Sequence, residues 1–528
     1  MPFVKDFLSC ATDKIPMIMA RKRGSVLSLF LNFIEKGGNA LPHPGTLFAI
    51  LAGLVLIFSA VGHYLDWTVI HPATGESIHT VNLLSRDGIH HILLTMVSHY
   101  TGFAPLGIVM VALLGIGIAE ASGLISAAIR LLIFKAPPRS ITFVIVMSGI
   151  ISNMASDLGY LLIIPMAGVI FHSLGRHPIA GMAAAFAGVS GGFSANLFIG
   201  TIDPLLAGLS SEAAQIIDPD YVVLPTANFY FMFVSTFIVA FAATWVTSKF
   251  VEPRLGSYTG QAEAEAMNPL TPLEKKALWY TIGVVIVWGL LIFWGLYPSE
   301  GFLRGPENSV LRSPVLKGFI AFLFLIAGTM GIVYGAITGK FKNDKDVIKG
   351  MVESFKTLSA FLVLVFFASQ FVAFFKESNL GLVIAVKGAS LLQEAQIGMI
   401  PLLILFILLS GFINLFMGSA SAKWAILGPV FIPMFMLLGY SPELSQAVFR
   451  IGDSVTNIIS PMMSFFALII VYFEKYDENA GLGTIISTMI PYTLVFTILW
   501  SILLVAWTSF GLPLGPGAPI YYEGVIGY

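Results

Sequence analysis

Two short stretches in the C-terminal half of the chain place charged and polar side chains inside strongly apolar sequence. Residues 414–424 read Asn-Leu-Phe-Met-Gly-Ser-Ala-Ser-Ala-Lys-Trp, and residues 449–461 read Phe-Arg-Ile-Gly-Asp-Ser-Val-Thr-Asn-Ile-Ile-Ser-Pro. Between them they carry Lys423, Arg450 and Asp453. A charged side chain at the centre of a bilayer costs roughly 3 kcal/mol, so such residues are normally paired and functional. The two stretches therefore predict a binding site within a membrane.

The basic and aromatic residues of these stretches suit an anionic aromatic substrate. Arg450 offers a planar fork that binds a carboxylate through two hydrogen bonds, and Lys423 adds a point charge. Trp424 can stack on an aromatic ring, although membrane helices also use tryptophan for packing and at the interface. Asp453 has two interpretations: it binds sodium or a proton, or it neutralises Arg450 three residues earlier on the same helix face. Both interpretations can hold in turn.

The composition indicates a polytopic membrane protein. Of the 528 residues, 57% are hydrophobic and 11% are charged, and the mean hydropathy is +0.88, which excludes an ordinary soluble protein. The net charge of −1 gives no reason to expect nucleic acid as a partner. Cys10 is the single cysteine, so intrachain disulfides and cysteine-bound metals are excluded. We expect no enzymatic activity, and no cofactor beyond a coupling ion, which is sodium or a proton.

The apolar segments predict an all-α fold with about nine transmembrane helices and two re-entrant helical hairpins. Segments near 140–174 and 399–437 are interrupted by small and polar residues, and each half is too short to cross a bilayer alone. The predicted membrane spans are 45–63, 103–134, 178–200, 226–248, 277–296, 314–339, 354–375, 442–470 and 484–510. Basic loops recur on the side of the N-terminus, which therefore lies in the cytoplasm, with the C-terminus outside.

These elements divide the chain into five parts. The parts are a cytoplasmic arm (1–44), a first membrane half (45–248), a cytoplasmic linker (249–276), a second membrane half (277–510) and an external tail (511–528). The loop 203–225 holds acidic residues but no Lys or Arg, and is predicted to lie outside. Residues 64–90 carry scattered histidines without the helical spacing of a metal site, and are interpreted as a solvated outer loop.

The two predicted hairpins belong to an internal repeat. A shift of 264 positions superposes Pro165 on Pro429, Pro178 on Pro442 and Gly188 on Gly452, and aligns the two interruptions. Five spans separate the copies, so the repeat is inverted and its tips meet near the membrane midplane. A re-entrant tip exposes backbone groups that lipid cannot satisfy, so it lines a polar cavity. The predicted cation-site residues, which share oxygen-bearing side chains, are Asn153, Asp157, Asn414, Ser419, Asp453 and Asn457.

The stretch from Asn414 to Trp424, together with Pro442 and the sequence Phe-Arg-Ile-Gly-Asp-Ser at 449–454, closely resembles the aminobenzoyl-glutamate transporter (AbgT) family. The resemblance covers nearly the whole chain. It implies a bowl-shaped homodimer in the bacterial inner membrane, with Asn414 and Asp453 as ligands of the cation. The substrate-site residues that it implies are Ser421, Trp424, Pro442, Arg450, Asp453, Pro461 and an acidic residue of the first half, matched to Asp203 with Asp157 as a competitor.

The family activities set the expected function. They are import of p-aminobenzoyl-glutamate, a folate catabolite, and, in some members, efflux of sulfonamide antimetabolites; both substrates contain an aminobenzene unit. Gradients decide the direction, because alternating access is reversible. The alternatives are a sodium-coupled dicarboxylate carrier, a channel, and an intramembrane aspartyl protease using Ile451-Gly452-Asp453. The inverted hairpins argue against a channel, and the nearby Asp477 argues against a protease because it lies in a charged loop.

Overall fold

The computed structural model describes residues 42–70, 75–134, 136–154, 159–260, 269–310, 312–522 and 524 of the chain. These residues form a mostly helical fold, as predicted, with a small antiparallel hairpin of strands β1 (Thr68–Ile70) and β2 (Ser77–His79). The predicted cytoplasmic arm lies almost entirely outside the described residues, and Asp157 lies outside them as well.

The helices fall into two series, before and after residue 260. The first series is α1 (Pro44–Tyr64), α2 (Arg86–Thr101), α3 (Ala104–Ser122), α4 (Leu124–Phe134), α5 (Ile141–Ser152), α6 (Ile164–Ser173), α7 (Pro178–Phe186), α8 (Ile202–Ala214), α9 (Phe229–Val246) and α10 (Glu252–Leu255). The second series is α11 (Pro272–Leu296), α12 (Pro314–Lys317), α13 (Phe319–Thr338), α14 (Asp344–Glu377), α15 (Leu380–Glu394), α16 (Met399–Asn414), α17 (Ala420–Leu437), α18 (Pro442–Asn457), α19 (Phe466–Glu474) and α20 (Leu482–Ser509). Short π-helical stretches precede α6 and extend α7 and α9.

Local sequence signals determine where several helices begin. Helices α1, α7, α11 and α18 begin at a proline, whose fixed φ and missing N–H suit the first helical position. At α11, the Thr271 side chain accepts a hydrogen bond from the N–H of Glu274, and the Glu274 carboxylate accepts one from the N–H of Thr271. This capping box satisfies two backbone donors that the helix leaves free.

Eight helical segments among the described residues are long and apolar enough to cross a membrane. They are α1, the run over α2 and α3, α9 with its extension, α11, α13, the part of α14 from Leu358, α17 and α20. Several other apolar helices, including α5, α7 and α16, are shorter. The polytopic helical class is therefore confirmed, and the number of nine spans stays a prediction.

Both segments predicted as re-entrant hairpins contain a break in the helix. Helix α5 ends at Ser152 and helical structure resumes at Gly159, while α16 ends at Asn414 and α17 begins at Ala420. Helix α5 has 12 residues and α16 has 16. At 1.5 Å per residue these helices are about 18 and about 24 Å long, short of the roughly 30 Å hydrocarbon core.

Two segments predicted as continuous spans are broken in the structure. Within 178–200, the helix that starts with α7 ends at Gly191, and an unwound stretch leads to α8. Within 442–470, helix α18 ends at Asn457 and α19 starts only at Phe466. Because the residues of both stretches are small, polar or apolar in no regular order, hydropathy alone did not show the breaks.

The prediction of an outer loop over 203–225 is wrong for its first part. Residues 202–214 form helix α8, in which nearly every residue is buried. Its acidic residue Asp203 therefore lies in the protein interior, at 6% exposure. The polar residues 218–222 are the part of this segment that is largely exposed.

Matching contacts in the two halves give the register of the internal repeat. In the first half, Nδ2 of Asn153 donates to the carbonyl oxygen of Val189 at 3.0 Å, and in the second half Nδ2 of Asn414 donates to that of Asp453 at 2.8 Å. Asp453 follows Val189 by 264 residues, whereas Asn414 follows Asn153 by 261. The predicted offset of 264 therefore applies after the tips and falls to 261 before them, because the second tip is three residues longer.

Two glycines show the same correspondence. A Cβ atom at Gly188 would overlap the carbonyl oxygen of Val146 in α5, and one at Gly452 would overlap that of Ile407 in α16. The glycines are 264 residues apart and their neighbours 261. In each half, close backbone contact thus holds the helix before the tip against the helix that carries the functional residues.

Candidate functional site

The Arg450 side chain lies at a buried junction of the two membrane halves. Its Nη1 is 2.7 Å from Oδ1 of Asp203, and the two side chains are 1% and 8% exposed. Its Nη2 donates to the carbonyl oxygen of Ser194 at 2.9 Å, in the unwound stretch after α7. Oδ2 of Asp203 accepts a hydrogen bond from the N–H of Gly200 at 2.8 Å. Asp203 therefore holds both the guanidinium and the unwound backbone in place.

Asp453 has a different partner from Arg450, although both lie on α18. The Asp453 carboxylate forms an ion pair with Nζ of Lys423 from α17, and both side chains are fully buried. The interpretation of Asp453 as the residue that neutralises Arg450 is therefore wrong for this conformation. The first-half carboxylate that faces Arg450 is Asp203.

Asn414 brings the predicted cation ligands together. Its Oδ1 contacts Nζ of Lys423, and its Nδ2 lies 2.8 Å from each of three acceptors, the carbonyl oxygen of Asp453, Oγ1 of Thr456 and Oδ1 of Asn457. An amide NH2 group has two hydrogens, so it cannot satisfy three acceptors fully at once. This surplus of oxygen atoms suits a hard cation, and the Lys423 ammonium supplies the positive charge here.

Trp424 is fully buried beside this cluster. Its ring stacks on Phe449 from α18, with centroids 4.5 Å apart and planes inclined by 26°. Its Nε1 donates to Oγ of Ser210 in α8 at 2.9 Å. One face of the ring that we predicted to cover an aromatic substrate is thus covered by Phe449 in this conformation.

The unwound stretch after α7 contains polar atoms without hydrogen-bond partners among the described residues. They are both amide atoms of Asn196 and Oγ of Ser190, and Nε of Arg450 nearby is in the same condition. Asn196 is only 4% exposed. Leaving a buried polar group unpaired costs about 1–3 kcal/mol, so these atoms suit contacts with a bound ligand. The N–H of Ser194 donates to Oγ of Ser454 at 3.1 Å and ties the stretch to α18.

The remaining predicted residues lie at the ends of these elements. Ser419 and Ser421 are half-buried at the tip before α17, with hydroxyl oxygens 3.2 Å apart. Pro461 lies in the unwound stretch after α18, and Nδ2 of Asn457 donates to the carbonyl oxygen of Ser190 at 3.4 Å. Pro442 begins α18 and lies eight residues, about 12 Å along the helix axis, from Arg450.

A buried polar chain between the two halves was missed by the sequence analysis. Oγ of Ser210 donates to Oε1 of Gln446 at 2.7 Å, and Nε2 of Gln446 donates to Oδ1 of Asn228 at 2.9 Å. The hydroxyl of Tyr221 donates to Oε2 of Glu443 at 2.9 Å. Burial, together with the Glu443 carboxylate, raises the pKa of the Tyr221 hydroxyl above its usual range, so it remains a donor. Partners more than 200 residues apart leave no local pattern in the sequence.

Broken helices whose unwound ends surround buried charges define a class of polytopic membrane protein, the transporters built from discontinuous helices. The chain belongs to the AbgT putative transporter family, whose model matches residues 29–522. The predicted family resemblance is therefore confirmed.

Relatives of known name or structure are similar over almost the full length. The chain is 36% identical over 486 residues to the p-aminobenzoyl-glutamate transport protein of Escherichia coli (strain K12), covering 92% of this chain and 96% of that protein. It is similar to the structure of the Alcanivorax borkumensis YdaH transporter, with 45% identity and a TM-score of 0.86, over 90% of this chain and all of that one. It is also similar to Neisseria gonorrhoeae MtrF, described as illuminating a class of antimetabolite efflux pumps, with 53% identity and a TM-score of 0.88, over 93% of this chain and all of that one.

Proposed function

We propose that the chain is an ion-coupled secondary transporter of p-aminobenzoyl-glutamate that works by alternating access and forms a homodimer in the bacterial inner membrane. The observation that carries the proposal is the buried pair of Arg450 with Asp203, which lies between unwound helix ends. The name of the Escherichia coli relative supports the choice of substrate. The broken helices of both halves support alternating access.

The substrate carboxylate binds at the Arg450 fork. In this conformation Nη1 faces Asp203, Nη2 faces the Ser194 carbonyl, and Nε has no partner among the described residues. A second carboxylate shares or displaces the Asp203 contact and gains hydrogen bonds strengthened by charge. The amide of Asn196 offers both a donor and an acceptor to the rest of the substrate. The aminobenzoyl ring reaches Trp424 once Phe449 moves off its face.

The coupling ion, sodium or a proton, binds at Asn414 and Asp453. Lys423 occupies contacts to both residues here. A sodium ion that used the same oxygens would displace the ammonium, whereas a proton would act on the pair itself. The two ions therefore predict different behaviour for a chain without this lysine, as considered in the Discussion.

Efflux of sulfonamide antimetabolites is the second candidate function. The observation that favours it is the similarity to Neisseria gonorrhoeae MtrF, the relative described with antimetabolite efflux pumps. A sulfonamide shares the aminobenzene ring with p-aminobenzoyl-glutamate but lacks its carboxylates, so it would use Trp424 and depend little on Arg450.

Transport in proteoliposomes should show the activity directly. We expect labelled p-aminobenzoyl-glutamate to accumulate when either a sodium or a proton gradient is imposed, and not with both dissipated. Excess unlabelled p-aminobenzoyl-glutamate should compete with uptake, whereas excess succinate should not. Competition by succinate would favour the dicarboxylate carrier, and absence of flux under both gradients would refute the proposed function.

The orientation is expected to place the N-terminus in the cytoplasm. In a chain with Cys10 replaced by serine, a cysteine at Asp220 should react with an impermeant maleimide added to intact cells, because the acidic loop lies outside. A cysteine at Lys276 should react only after the cells are opened. Both positions are exposed in the structure, so the reverse labelling pattern would overturn the orientation. Light scattering of the purified protein should give the mass of a dimer, and a monomer mass would contradict the homodimer.

A further inference from the structure

Two histidines and a glutamate meet at a second place, away from Arg450 and next to the β1–β2 hairpin. His91 and His99 lie about two turns apart along α2, and Glu377 is the last residue of α14. Their Nε2 atoms lie 3.1 and 2.9 Å from Oε1 of Glu377. The candidate ligand atoms of the three residues all lie within 4.8 Å of one another.

Gln370 determines which nitrogen of His99 carries a hydrogen. Nε2 of Gln370 donates to the carbonyl oxygen of Met96 at 3.0 Å, so its Oε1 faces Nδ1 of His99, 3.4 Å away. A carbonyl oxygen can only accept, so Nδ1 of His99 is the donor. In a neutral imidazole, this leaves the lone pair of Nε2 directed at the Glu377 carboxylate. Two acceptors 2.9 Å apart repel each other unless a metal ion or a second proton neutralises them.

The cluster has the properties of a site for a divalent transition metal. Oε2 of Glu377 is buried and has no hydrogen-bond partner among the described residues. The His91 side chain is 50% exposed, which leaves room for a water ligand. Two imidazoles, one carboxylate and an open fourth position are a known zinc ligand set. A tetrahedral site with bonds of about 2.1 Å has ligands about 3.4 Å apart, so the present separations need to widen by only a few tenths of an ångström.

The geometry points to a zinc-type metal site formed by His91, His99 and Glu377. Neutral imidazoles and a carboxylate favour zinc and its neighbours in the transition series over magnesium or calcium. Gln370 acts as a positioning residue, because it holds the His99 ring by the nitrogen that does not bind the metal. A bound ion ties α2 to the end of α14. This inference concerns a region separate from Arg450 and does not rest on the proposed transport function.

Sequence reasoning missed the cluster for a definite reason. It considered the histidines of residues 64–91, whereas one ligand is His99 and another, Glu377, lies 278 residues after His99. The spacing of eight residues between the two histidines is a helical one, but it is recognisable only when α2 is known to run through both.

Cobalt(II) binding to the full-length protein in detergent tests the site. We expect one Co²⁺ per protomer, with the visible absorption bands of a tetrahedral ion, and displacement by an equivalent of Zn²⁺. His99→Ala should weaken the binding at least about tenfold, and Gln370→Leu by roughly ten- to a hundredfold. His90→Ala is the matched control, because His90 is exposed on the same helix and outside the cluster; it should bind the metal as the parent chain does.

Two outcomes would overturn the site. One is that the parent chain binds no Co²⁺ or Zn²⁺ beyond what the His99→Ala chain binds. The other is that His90→Ala and His99→Ala weaken the binding equally, which would mean scattered surface histidines. Each variant is compared only if it elutes as the parent does in size-exclusion chromatography. If His99→Ala fails this check, Glu377→Gln takes its place, because it keeps the shape of the side chain and removes the charge that the metal needs.

Discussion

Replacing Arg450 with lysine should weaken the binding of p-aminobenzoyl-glutamate by roughly ten- to a hundredfold. Lysine keeps the positive charge that Asp203 compensates, but it loses the planar fork that spans Asp203 and the Ser194 carbonyl. A hydrogen bond to a charged group contributes about 1.5–3 kcal/mol, which corresponds to that factor in the dissociation constant. A binding titration in detergent measures it.

The comparison needs a second ligand and a second arginine. A neutral sulfonamide should lose much less affinity in Arg450→Lys, because it has no carboxylate for the fork. Arg176→Lys is the matched control: Arg176 also holds a carboxylate through two nitrogens, those of Glu252, at 2.7 and 2.9 Å, but outside the site. It should leave the binding of both ligands unchanged. Equal losses for both ligands in Arg450→Lys would show that Arg450 is structural, and carboxylate recognition would have to be withdrawn.

The polar residues inside apolar sequence were sufficient to locate the site. Asn414, Lys423, Arg450 and Asp453 stand out because charges and amides are costly at membrane depth. The structure brings three of them into one cluster and places Arg450 on the same helix as Asp453. Composition gave the helical class for the same reason, since about 20 apolar residues are needed to cross a bilayer as a helix.

Which charges pair was not predictable from sequence spacing. Arg450 and Asp453 are three residues apart on one helix, and this spacing favoured a pair between them. The actual partners come from other helices, Asp203 from α8 and Lys423 from α17. The choice depends on the way the two halves pack, and the sequence contains no local record of that packing. The family resemblance, rather than the spacing, indicated Asp203.

The unwound stretches were hidden for a similar reason. Residues 192–201 and 458–465 contain enough apolar residues to read as parts of spans. Their backbone leaves the helix because it is buried in protein, where side chains such as Ser454 satisfy freed N–H groups. The register of the repeat likewise became clear only from the contacts of Asn153 and Asn414.

Replacing Asp453 with asparagine should destabilise the protein by roughly 3–5 kcal/mol, because it leaves the fully buried ammonium of Lys423 without a counter-charge. The double variant Lys423→Met with Asp453→Asn should recover most of this loss, since neither charge is then buried. Thermal unfolding in detergent measures the stability. Glu252→Gln is the control: it breaks an ion pair whose side chains are 24–26% exposed, and such pairs contribute about 1 kcal/mol or less.

The double variant separates structure from coupling. It should fold and elute as the parent does, yet show no ion-dependent transport, because the carboxylate that binds the ion is missing. Transport that still follows the imposed gradient in the folded double variant would mean that Asp453 serves only to neutralise Lys423. The cation site would then have to lie elsewhere.

The single variant Lys423→Met distinguishes the two coupling ions. It leaves the Asp453 carboxylate and Oδ1 of Asn414 without the ammonium that both contact. If sodium is the coupling ion, it takes the vacated position, and unfolding should become more difficult as sodium replaces potassium at constant ionic strength. At a sodium concentration of 100 times the dissociation constant, the gain is about 2.7 kcal/mol. If the proton is the coupling ion, the exchange of sodium for potassium should have no effect, while acidification should stabilise the variant by protonating Asp453. A variant indifferent to both ions would contradict the assignment of this cluster as the cation site.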